Sequence, residues 1–299
     1  MNLKEAIDEY LLEQRIRGNS KRTVKNYSMM LGFFYNFAGN VPLSELNVQL
    51  ARSYYIKLAD RLNNSITVQT YIRALRAFLN WLFQSELIEV DICRKFKLPK
   101  ARQMEIVPLT DEEIQALFDV YKGEDECSVR NRLILALMLD CGLRLEEVVT
   151  AKLTDLYLKQ RCLIVTGKGN KQRAIAFGLN TEALLTKYLA IRKSESQLLI
   201  IKVSALERGE PITISTLKNM FRRLKERSGV PRIYAHLLRH TFGTRYIENG
   251  GNMFALQLLL GHTSLNMVKR YVHLANTKVR KEFVNFSPLD RLPGDLPIV

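Results

Sequence analysis

The chain has 299 residues, 47% hydrophobic and 25% charged, with a formal net charge of +15 at pH 7. This length suffices for one large domain or two ordinary ones, and the composition is ordinary for a soluble globular protein. So positive a charge indicates a polyanionic partner, with nucleic acid ahead of an anionic membrane surface. A basic surface with no partner is the plainer alternative.

Signals of the cellular compartment come from the cysteines and from the charged N-terminal stretch. The four cysteines lie at 93, 127, 141 and 162 and form no CxxC pair. This pattern favours free thiols in a reducing cytosol over disulfides or zinc. The N-terminal stretch is charged throughout, unlike a signal peptide, and the longest apolar run, Leu133 to Leu139, is too short to span a bilayer. We expect a soluble, cytoplasmic, nucleoid-associated protein with no membrane partner.

Residues 1–93 predict a helical domain. Apolar residues recur at helical spacing over Lys4–Gln14 and Lys21–Phe37, a third helix is expected from Ser44 to about Ala59, and Asn64-Ser65 opens a fourth. Basic side chains on the non-core faces of the second and fourth helices can approach DNA phosphates, with a solvated face as the alternative. These predicted DNA-binding residues are Lys21, Arg22, Lys25, Arg73 and Arg76.

A basic linker is expected at residues 94–107. Arg94 to Arg102 reads RKFKLPKAR, with five basic residues, one proline and no helical or alternating period. A basic linker that crosses DNA would help two domains enclose a duplex. The expected fold is therefore a two-domain, C-shaped DNA clamp, mainly α-helical.

The second domain is expected over residues 108–299. Thr110 to Glu113 is a capping box that opens a helix, and another helix runs from about Val129 to Asp140. Gly142 can end that helix in a left-handed conformation, which places Arg144 in the first turn of the next helix. A structural pair with Glu147 and a strained junction that aims Arg144 at a ligand are the two interpretations.

Between residues 155 and 177 the apolar period changes from helical to alternating, which predicts a small antiparallel β-sheet. The stretch Gly167–Lys171 is a hairpin tip that presents Lys168 and Lys171, a weak signal by itself. Helices resume over Thr181–Arg192 and Ser215–Ser228. The second of these carries cations expected to face DNA, namely Lys218, Arg222, Arg223, Lys225 and Arg227.

All four histidines lie between residues 236 and 273. Two arginines can hold the non-bridging oxygens of one phosphodiester and neutralise charge in a pentacoordinate transition state. A tyrosine can act as the nucleophile, while histidine and lysine transfer protons. The candidate active site for DNA phosphodiester chemistry comprises Arg144, Lys168, His236, Arg239, His262 and Tyr271.

No metal or nucleotide cofactor is expected. His236 and His240 have the i, i+4 spacing of a zinc helix, but Leu237 stands where an HExxH motif has glutamate. The sequence has no GxxxxGK[ST] phosphate loop and no GxSxG nucleophile motif. The two arginines would supply the positive charge that a metal ion supplies elsewhere.

Five segments in order resemble the tyrosine recombinases of the phage integrase and Xer type. They are GLRLEEV with Arg144, TGKGNKQR with Lys168, HLLRHTFGT with His236 and Arg239, LGH with His262, and KRYVH with Tyr271. The nine-residue gap from His262 to Tyr271 also agrees with the family, and SKRTVKNYSMMLGFF and TVQTYIRALRAFLNWLF resemble its SAM-like core-binding domain. Each segment is a weak signal alone, whereas the ordered set is specific.

The resemblance implies a reaction and a division of labour. Tyr271 attacks the scissile phosphate and forms a 3′-phosphotyrosine, His236 accepts a proton, and Lys168 is the general acid for the released 5′-hydroxyl. Arg144 and Arg239 hold the phosphate. His262 hydrogen-bonds to the phosphate, and Glu147 supports the cluster structurally.

The resemblance also implies an assembly. A homo-tetramer, with or without a related recombinase, exchanges strands between two specific double-stranded DNA sites through a Holliday junction, without ATP or metal. The family's C-terminal segment packs on the next subunit, which favours oligomerisation over fraying for residues from Asn276 onward.

Three functions compete on the sequence alone. A site-specific recombinase is favoured over a type IB topoisomerase, which shares the tyrosine chemistry, and over a non-catalytic DNA-binding factor. The biological reaction stays open among integration, excision, dimer resolution and inversion. The chain is compact like a Xer protein, but ENGGNMFALQ and SLNMVKRYVHL look more like the integrases of mobile elements.

Overall fold

The structure is a computed structural model that describes residues 1–98, 106–167, 171–204 and 206–261. The chain divides into two compact units, Met1–Glu105 and Ile106–Val299. Each unit has its own hydrophobic core. Among the helices in the described ranges, none is both long and apolar enough to cross a membrane.

The first unit is a helical bundle. Its helices are α1 (Leu3–Ile16), α2 (Lys21–Ala38), α3 (Val48–Arg61), α4 (Ser65–Gln84) and α5 (Ile92–Lys95). Tyr10 on α1 packs against the rings of Tyr27, Phe78 and Trp81, with centroids 5.5, 5.5 and 5.4 Å away. Because each ring buries a large apolar area in edge-on or tilted contacts, this cluster joins three helices in one core.

The predicted helix starts are set by short polar side chains. Ser20 Oγ accepts a hydrogen bond from Thr23 N at 3.1 Å at the start of α2. Asn64 Oδ1 accepts one from Thr67 N at 3.2 Å at the start of α4. Each cap satisfies an amide that has no partner within its helix, which stabilises the helix by about 1 kcal/mol.

The prediction that the third helix begins at Ser44 was wrong. Leu43–Glu45 forms a separate 3-10 turn, and α3 begins only at Val48. Asn47 Oδ1 accepts a hydrogen bond from Leu50 N at 2.9 Å, so the cap lies three residues beyond the predicted one. Ser44 and Asn47 are both residue types that can cap a helix, and in the structure Asn47 is the cap.

The first residues of the predicted linker pack against the core of the first unit. Ile92, Cys93 and Phe96 are 1%, 9% and 5% exposed and belong to the core of the first unit. Their spacing is helical, so α5 covers the bundle before the chain leaves it. Residues 99–105 of the predicted linker lie outside the described residues.

The second unit surrounds one central helix and carries the sheet. Its helices are α6 (Asp111–Asp119), α7 (Glu126–Leu139), α8 (Leu145–Thr150), α9 (Leu179–Ile191), α10 (Ile214–Ser228), α11 (Ala235–Glu248) and α12 (Met253–Leu260), and its strands are β1 (Leu156–Tyr157), β2 (Cys162–Thr166) and β3 (Gln172–Ala176). The predicted class, mainly α with a small antiparallel sheet, is confirmed. α7 is buried on several sides and packs against both α9 and α11.

The three strands are antiparallel in the order β1-β2-β3. Leu163 pairs with Ile175, and Val165 pairs with Arg173. Directly opposed residues project from the same face of a sheet, so these four side chains form one row. Leu163, Val165 and Ile175 are at most 2% exposed, and Arg173 therefore ends an otherwise apolar row that faces the core.

Candidate active site

The structure describes half of the candidate catalytic set. Arg144, His236 and Arg239 lie in the second unit, whereas Lys168, His262 and Tyr271 lie outside the described residues. The predicted C-terminal oligomerisation segment, from Asn276 onward, is likewise outside them.

Arg144 is positioned by a sharp junction between α7 and α8. Gly142 has φ of +65°, and a Cβ at that position would lie 2.5 Å from Cδ1 of Phe242, so glycine is required there. The prediction that Arg144 lies in the first turn of α8 was one position off, because Arg144 is the N-cap of that helix. Its backbone N donates to Glu147 Oε2 at 2.8 Å and its Nη1 donates to Glu147 Oε1 at 2.9 Å. The ion pair and the aimed arginine are thus features of the same junction.

Arg239 lies on α11 and is 5% exposed. Its Nη1 donates to the carbonyl oxygen of Gly142, and its Nη2 donates to that of Leu260 at 2.5 Å. Arg144 Nη2 donates to the same Leu260 oxygen at 3.3 Å. Two guanidinium groups from distant parts of the chain therefore converge at the C-terminal end of α12, where the helix carbonyls carry partial negative charge. Paired guanidinium groups are the protein groups best suited to an oxyanion.

His236 is the second residue of the same helix, three residues before Arg239, and is solvent accessible. Its pKa is lowered from the ordinary histidine value by partial desolvation of the ring, then by the positive charges of Arg239 and Arg144, while Glu146 opposes the change. The imidazole is consequently neutral at neutral pH. A neutral imidazole next to two arginines can accept a proton.

Arg173 is a member of this cluster that sequence patterns did not reveal. Its Nη1 and Nη2 donate to Glu147 Oε1 and Oε2 at 2.6 and 2.8 Å, and its Nε donates to the Leu259 carbonyl oxygen at 2.7 Å. The available signal was its parity on β3, because residues 173 and 175 share the inward face. An arginine at an inward position implies a buried anionic partner, but parity does not say which one.

Glu147 balances the charge of two arginines. Its side chain is 2% exposed, and desolvation, the largest single influence, would raise its pKa. The hydrogen bonds from Arg173 and from the backbone of Arg144, with the charges of both guanidinium groups, outweigh that influence and lower the pKa. The carboxylate is therefore ionised and joins β3 to the start of α8.

Comparison with known proteins places this site in a family. Residues 108–278 match the phage integrase family, and residues 2–98 match the phage integrase SAM-like domain. The chain belongs to the phage integrase family. This tyrosine recombinase is 32% identical over 277 residues to tyrosine recombinase XerC of Staphylococcus carnosus, covering 90% of this chain and 92% of that protein. It is 27% identical over 293 residues to tyrosine recombinase XerD of Halalkalibacterium halodurans, covering 94% and 97%.

Solved structures share the fold of the recombinase. The Tn1549 transposon integrase in complex with transposon right end DNA has a TM-score of 0.78 at 20% identity, covering 96% of this chain and all (100%) of that one. A lambda integrase dimer bound to a COC′ core site has a TM-score of 0.73 at 20% identity, covering 89% and 97%. At these identities the likeness concerns the fold.

Membership in the family decides among the three competing functions. The protein is an enzyme of site-specific recombination that cleaves and rejoins DNA. A type IB topoisomerase and a non-catalytic DNA-binding factor are not favoured. DNA is accordingly its partner.

The recombinase exposes most of the predicted DNA-binding residues of its first unit. On α2 they are Lys21, Arg22 and Lys25, and on α4 Arg73 is exposed beside a shallow groove between the two helices. Arg76 differs, because it is half-buried and its Nη1 donates to the Cys93 carbonyl oxygen at 2.9 Å. That contact gives Arg76 a structural role at the α4–α5 junction.

The recombinase also exposes predicted DNA-binding residues in its second unit. Lys171 lies just before β3, where Gly167 N donates to its carbonyl oxygen at 2.8 Å and closes the base of the hairpin. Arg222 lies on the solvent face of α10, whose opposite face is buried. Their contacts with DNA stay predictions.

Proposed function

We propose that this recombinase cleaves one strand of a specific DNA site by attack of the Tyr271 hydroxyl on the scissile phosphodiester. The phenolic oxygen bonds to phosphorus, the bond to the 5′ oxygen breaks, and the products are a 3′-phosphotyrosine and a free 5′-hydroxyl. The convergence of Arg144 and Arg239 on the Leu260 carbonyl oxygen is the observation that carries this proposal.

Arg144 and Arg239 act on the phosphate. Charge increases on the non-bridging oxygens as phosphorus becomes pentacoordinate, and two fixed guanidinium groups stabilise that charge more than that of the ground state. Arg239 is nearly completely buried, so it needs little reorganisation when the phosphate charge develops. His262 lies two residues after Leu260 in the sequence. It adds a hydrogen bond to the phosphate.

Two further residues move protons. His236 accepts the Tyr271 proton, which its neutral state permits, since its pKa is lowered by desolvation and by the neighbouring arginines. Lys168 gives a proton to the departing 5′ oxygen as general acid. Without that proton the leaving group is a strongly basic alkoxide.

Rejoining runs the same chemistry in reverse on a different strand. The free 5′-hydroxyl of one duplex attacks the phosphotyrosine of another, so each phosphodiester bond broken is replaced by one of equal energy and neither ATP nor metal is needed. We propose that a homo-tetramer, with or without a related recombinase, holds two DNA sites and exchanges strands through a Holliday junction in the cytoplasm, at the nucleoid. The solved lambda integrase tetramer bound to a Holliday junction supports this assembly by analogy of fold.

The biological outcome follows from where the target site lies. We propose dimer resolution as one outcome, as the Xer-type sequence resemblance implies, and integration or excision of a mobile element as the other, which the fold shared with a transposon integrase supports. The sequence of the recovered target distinguishes these outcomes.

Covalent capture tests the proposed mechanism. The purified recombinase is incubated with nicked duplexes of random central sequence, on which cleavage releases a short fragment and prevents religation. Protein-linked DNA is recovered under denaturing conditions and sequenced. We expect a defined sequence class, linked through its 3′ end.

The matched variants are Tyr271→Phe and Tyr157→Phe. Phenylalanine lacks the nucleophile, so the first variant should bind the recovered site and form no adduct. Tyr157 is 45% exposed on β1 of the same unit, and its variant should form adduct at the normal rate. Adduct formation by Tyr271→Phe would overturn the mechanism, and relaxation of supercoiled plasmid lacking the site would favour a topoisomerase.

A further inference from the structure

Arg173 occupies an unusual place for an arginine. It lies on the core-facing row of the sheet beside Val165, and its side chain is only 11% exposed. An ionised group there is tolerated only when its charge is paired and its donors are satisfied. Other elements of the second unit must therefore supply acceptors for the Arg173 guanidinium.

The Arg173 guanidinium connects three segments of the second unit. It starts from β3, makes a two-pronged ion pair with Glu147 at the start of α8, and donates through Nε to Leu259 in the last turn of α12. A bidentate pair fixes the orientation of both planar groups, unlike a single contact. β3 is thereby tied to the cluster that contains Arg144.

The same guanidinium lies against the backbone at two glycines. A Cβ on Gly167 would lie 3.4 Å from both Arg173 Nη1 and Glu147 Oε1, and a Cβ on Gly261 would lie 3.0 Å from Arg173 Cδ. Gly167 and Gly261 directly precede Lys168 and His262 in the sequence. The Arg173–Glu147 pair is thus the surface on which the base of the β2–β3 hairpin rests.

We propose that Arg173 is a positioning residue that holds the base of the β2–β3 hairpin against the phosphate-binding cluster, so that the general acid meets the departing 5′ oxygen. This role rests on the proposed function. It is separate from phosphate binding, because Arg144 and Arg239 have their own contacts with Glu147, Gly142 and Leu260. Loss of the Arg173 tie should therefore impair protonation of the leaving group more than binding of the phosphate.

The test compares two leaving groups on the same DNA site. One suicide substrate has the natural 5′ oxygen at the scissile phosphate, and the other has sulfur in that bridging position. A thiolate is a much weaker base than an alkoxide and departs without a proton, so the sulfur substrate needs no general acid. Single-turnover cleavage of both is measured for the natural protein and for Arg173→Lys, with DNA affinity and unfolding temperature measured alongside.

Arg173→Lys keeps the positive charge beside Glu147 but cannot make the two-pronged pair and the Leu259 bond together. We expect cleavage of the oxygen substrate to slow by about tenfold to a hundredfold, as for a misplacement of about 1 Å. The sulfur substrate should be cleaved at nearly the natural rate, with DNA affinity unchanged. An equal slowing on both substrates, no slowing, or a protein unfolded at the assay temperature would each overturn the positioning role.

Two controls frame the comparison. Arg132→Lys changes an arginine of the same unit whose side chain is 17% exposed. Its Nη2 donates to the Gly123 carbonyl oxygen and to Glu124 Oε1, each at 3.1 Å. This variant should leave both rates unchanged. Lys168→Ala should show the sulfur-specific recovery; if it does not, Lys168 is not the acid and the proposed function fails at that step. If Lys168→Ala recovers and Arg173→Lys does not, only the positioning role fails.

Discussion

The two units of the recombinase use their charged residues in opposite ways. In the described part of the first unit, Gln14 is the buried polar side chain, and the cations other than the half-buried Arg76 lie at the surface. In the second unit, Glu147 and Arg239 are buried, and Arg144 and Arg173 are bonded to a buried carboxylate. A surface cation can contact DNA without other side chains to hold it. A buried cation needs paired partners within the protein, because desolvation of an unpaired charge is unfavourable. The buried charges of the second unit lower the stability of the fold if any of them lacks its partner, but when all are paired their positions are fixed.

The largest expected effect breaks the buried network at its carboxylate. Glu147→Ala leaves two arginines facing each other without their anion, and we expect the free energy of unfolding to fall by about 3–5 kcal/mol. Urea denaturation of the full chain measures it. Glu146→Ala changes the exposed neighbour on the same helix and should stay within about 0.5 kcal/mol. Equal effects of the two variants would contradict the distinction between the units.

The effect of intermediate size distinguishes the roles of two arginines on α4, Arg73 in DNA binding and Arg76 in stability. Arg73→Ala removes an exposed cation, and we expect weaker DNA binding with the slope of log Kd against log salt reduced by about 1. Arg76→Ala removes the hydrogen bond to Cys93, and we expect a loss of about 1 kcal/mol in unfolding free energy with the salt slope unchanged. Salt titrations and urea denaturation of both variants measure this, and a reduced slope for Arg76→Ala alone would reverse the assignment.

The smallest expected effect concerns the proton acceptor at the rim of the buried network. The pKa of His236 is lowered by desolvation, Arg239 and Arg144, and Glu146 partly offsets this. Glu146→Gln removes the offset and lowers the pKa further. Cleavage fails at low pH because protonated His236 cannot accept a proton, so the acidic limb of the rate profile should move to lower pH by less than about 1 unit.

Single-turnover cleavage rates across the pH range measure that shift. Glu182→Gln is the matched control, because its carboxylate pairs with Arg161 at 3.6 Å, away from His236. The limb should be unchanged in this control. A move of the Glu146→Gln limb to higher pH would exclude His236 as the group that titrates.

Local rules accounted for much of the fold. The caps at Asn64 and Thr110 and the left-handed Gly142 were predicted from short local patterns, and the structure has each of them. The failure at Ser44 was also local, since Ser44 and Asn47 are both residue types that can cap a helix and lie three residues apart.

The sequence by itself determined the fold class, the family and the identity of the candidate catalytic residues, because these depend on residue types and on their order. Only the tertiary structure decided which carbonyl oxygen Arg144 and Arg239 share, that Arg173 joins their cluster, and that Arg76 turns towards Cys93. The partners in these contacts are separated by 17 to 116 residues. Short-range periodicity carries no information on such distances, and a buried charge reveals its partner only after the chain has closed around both.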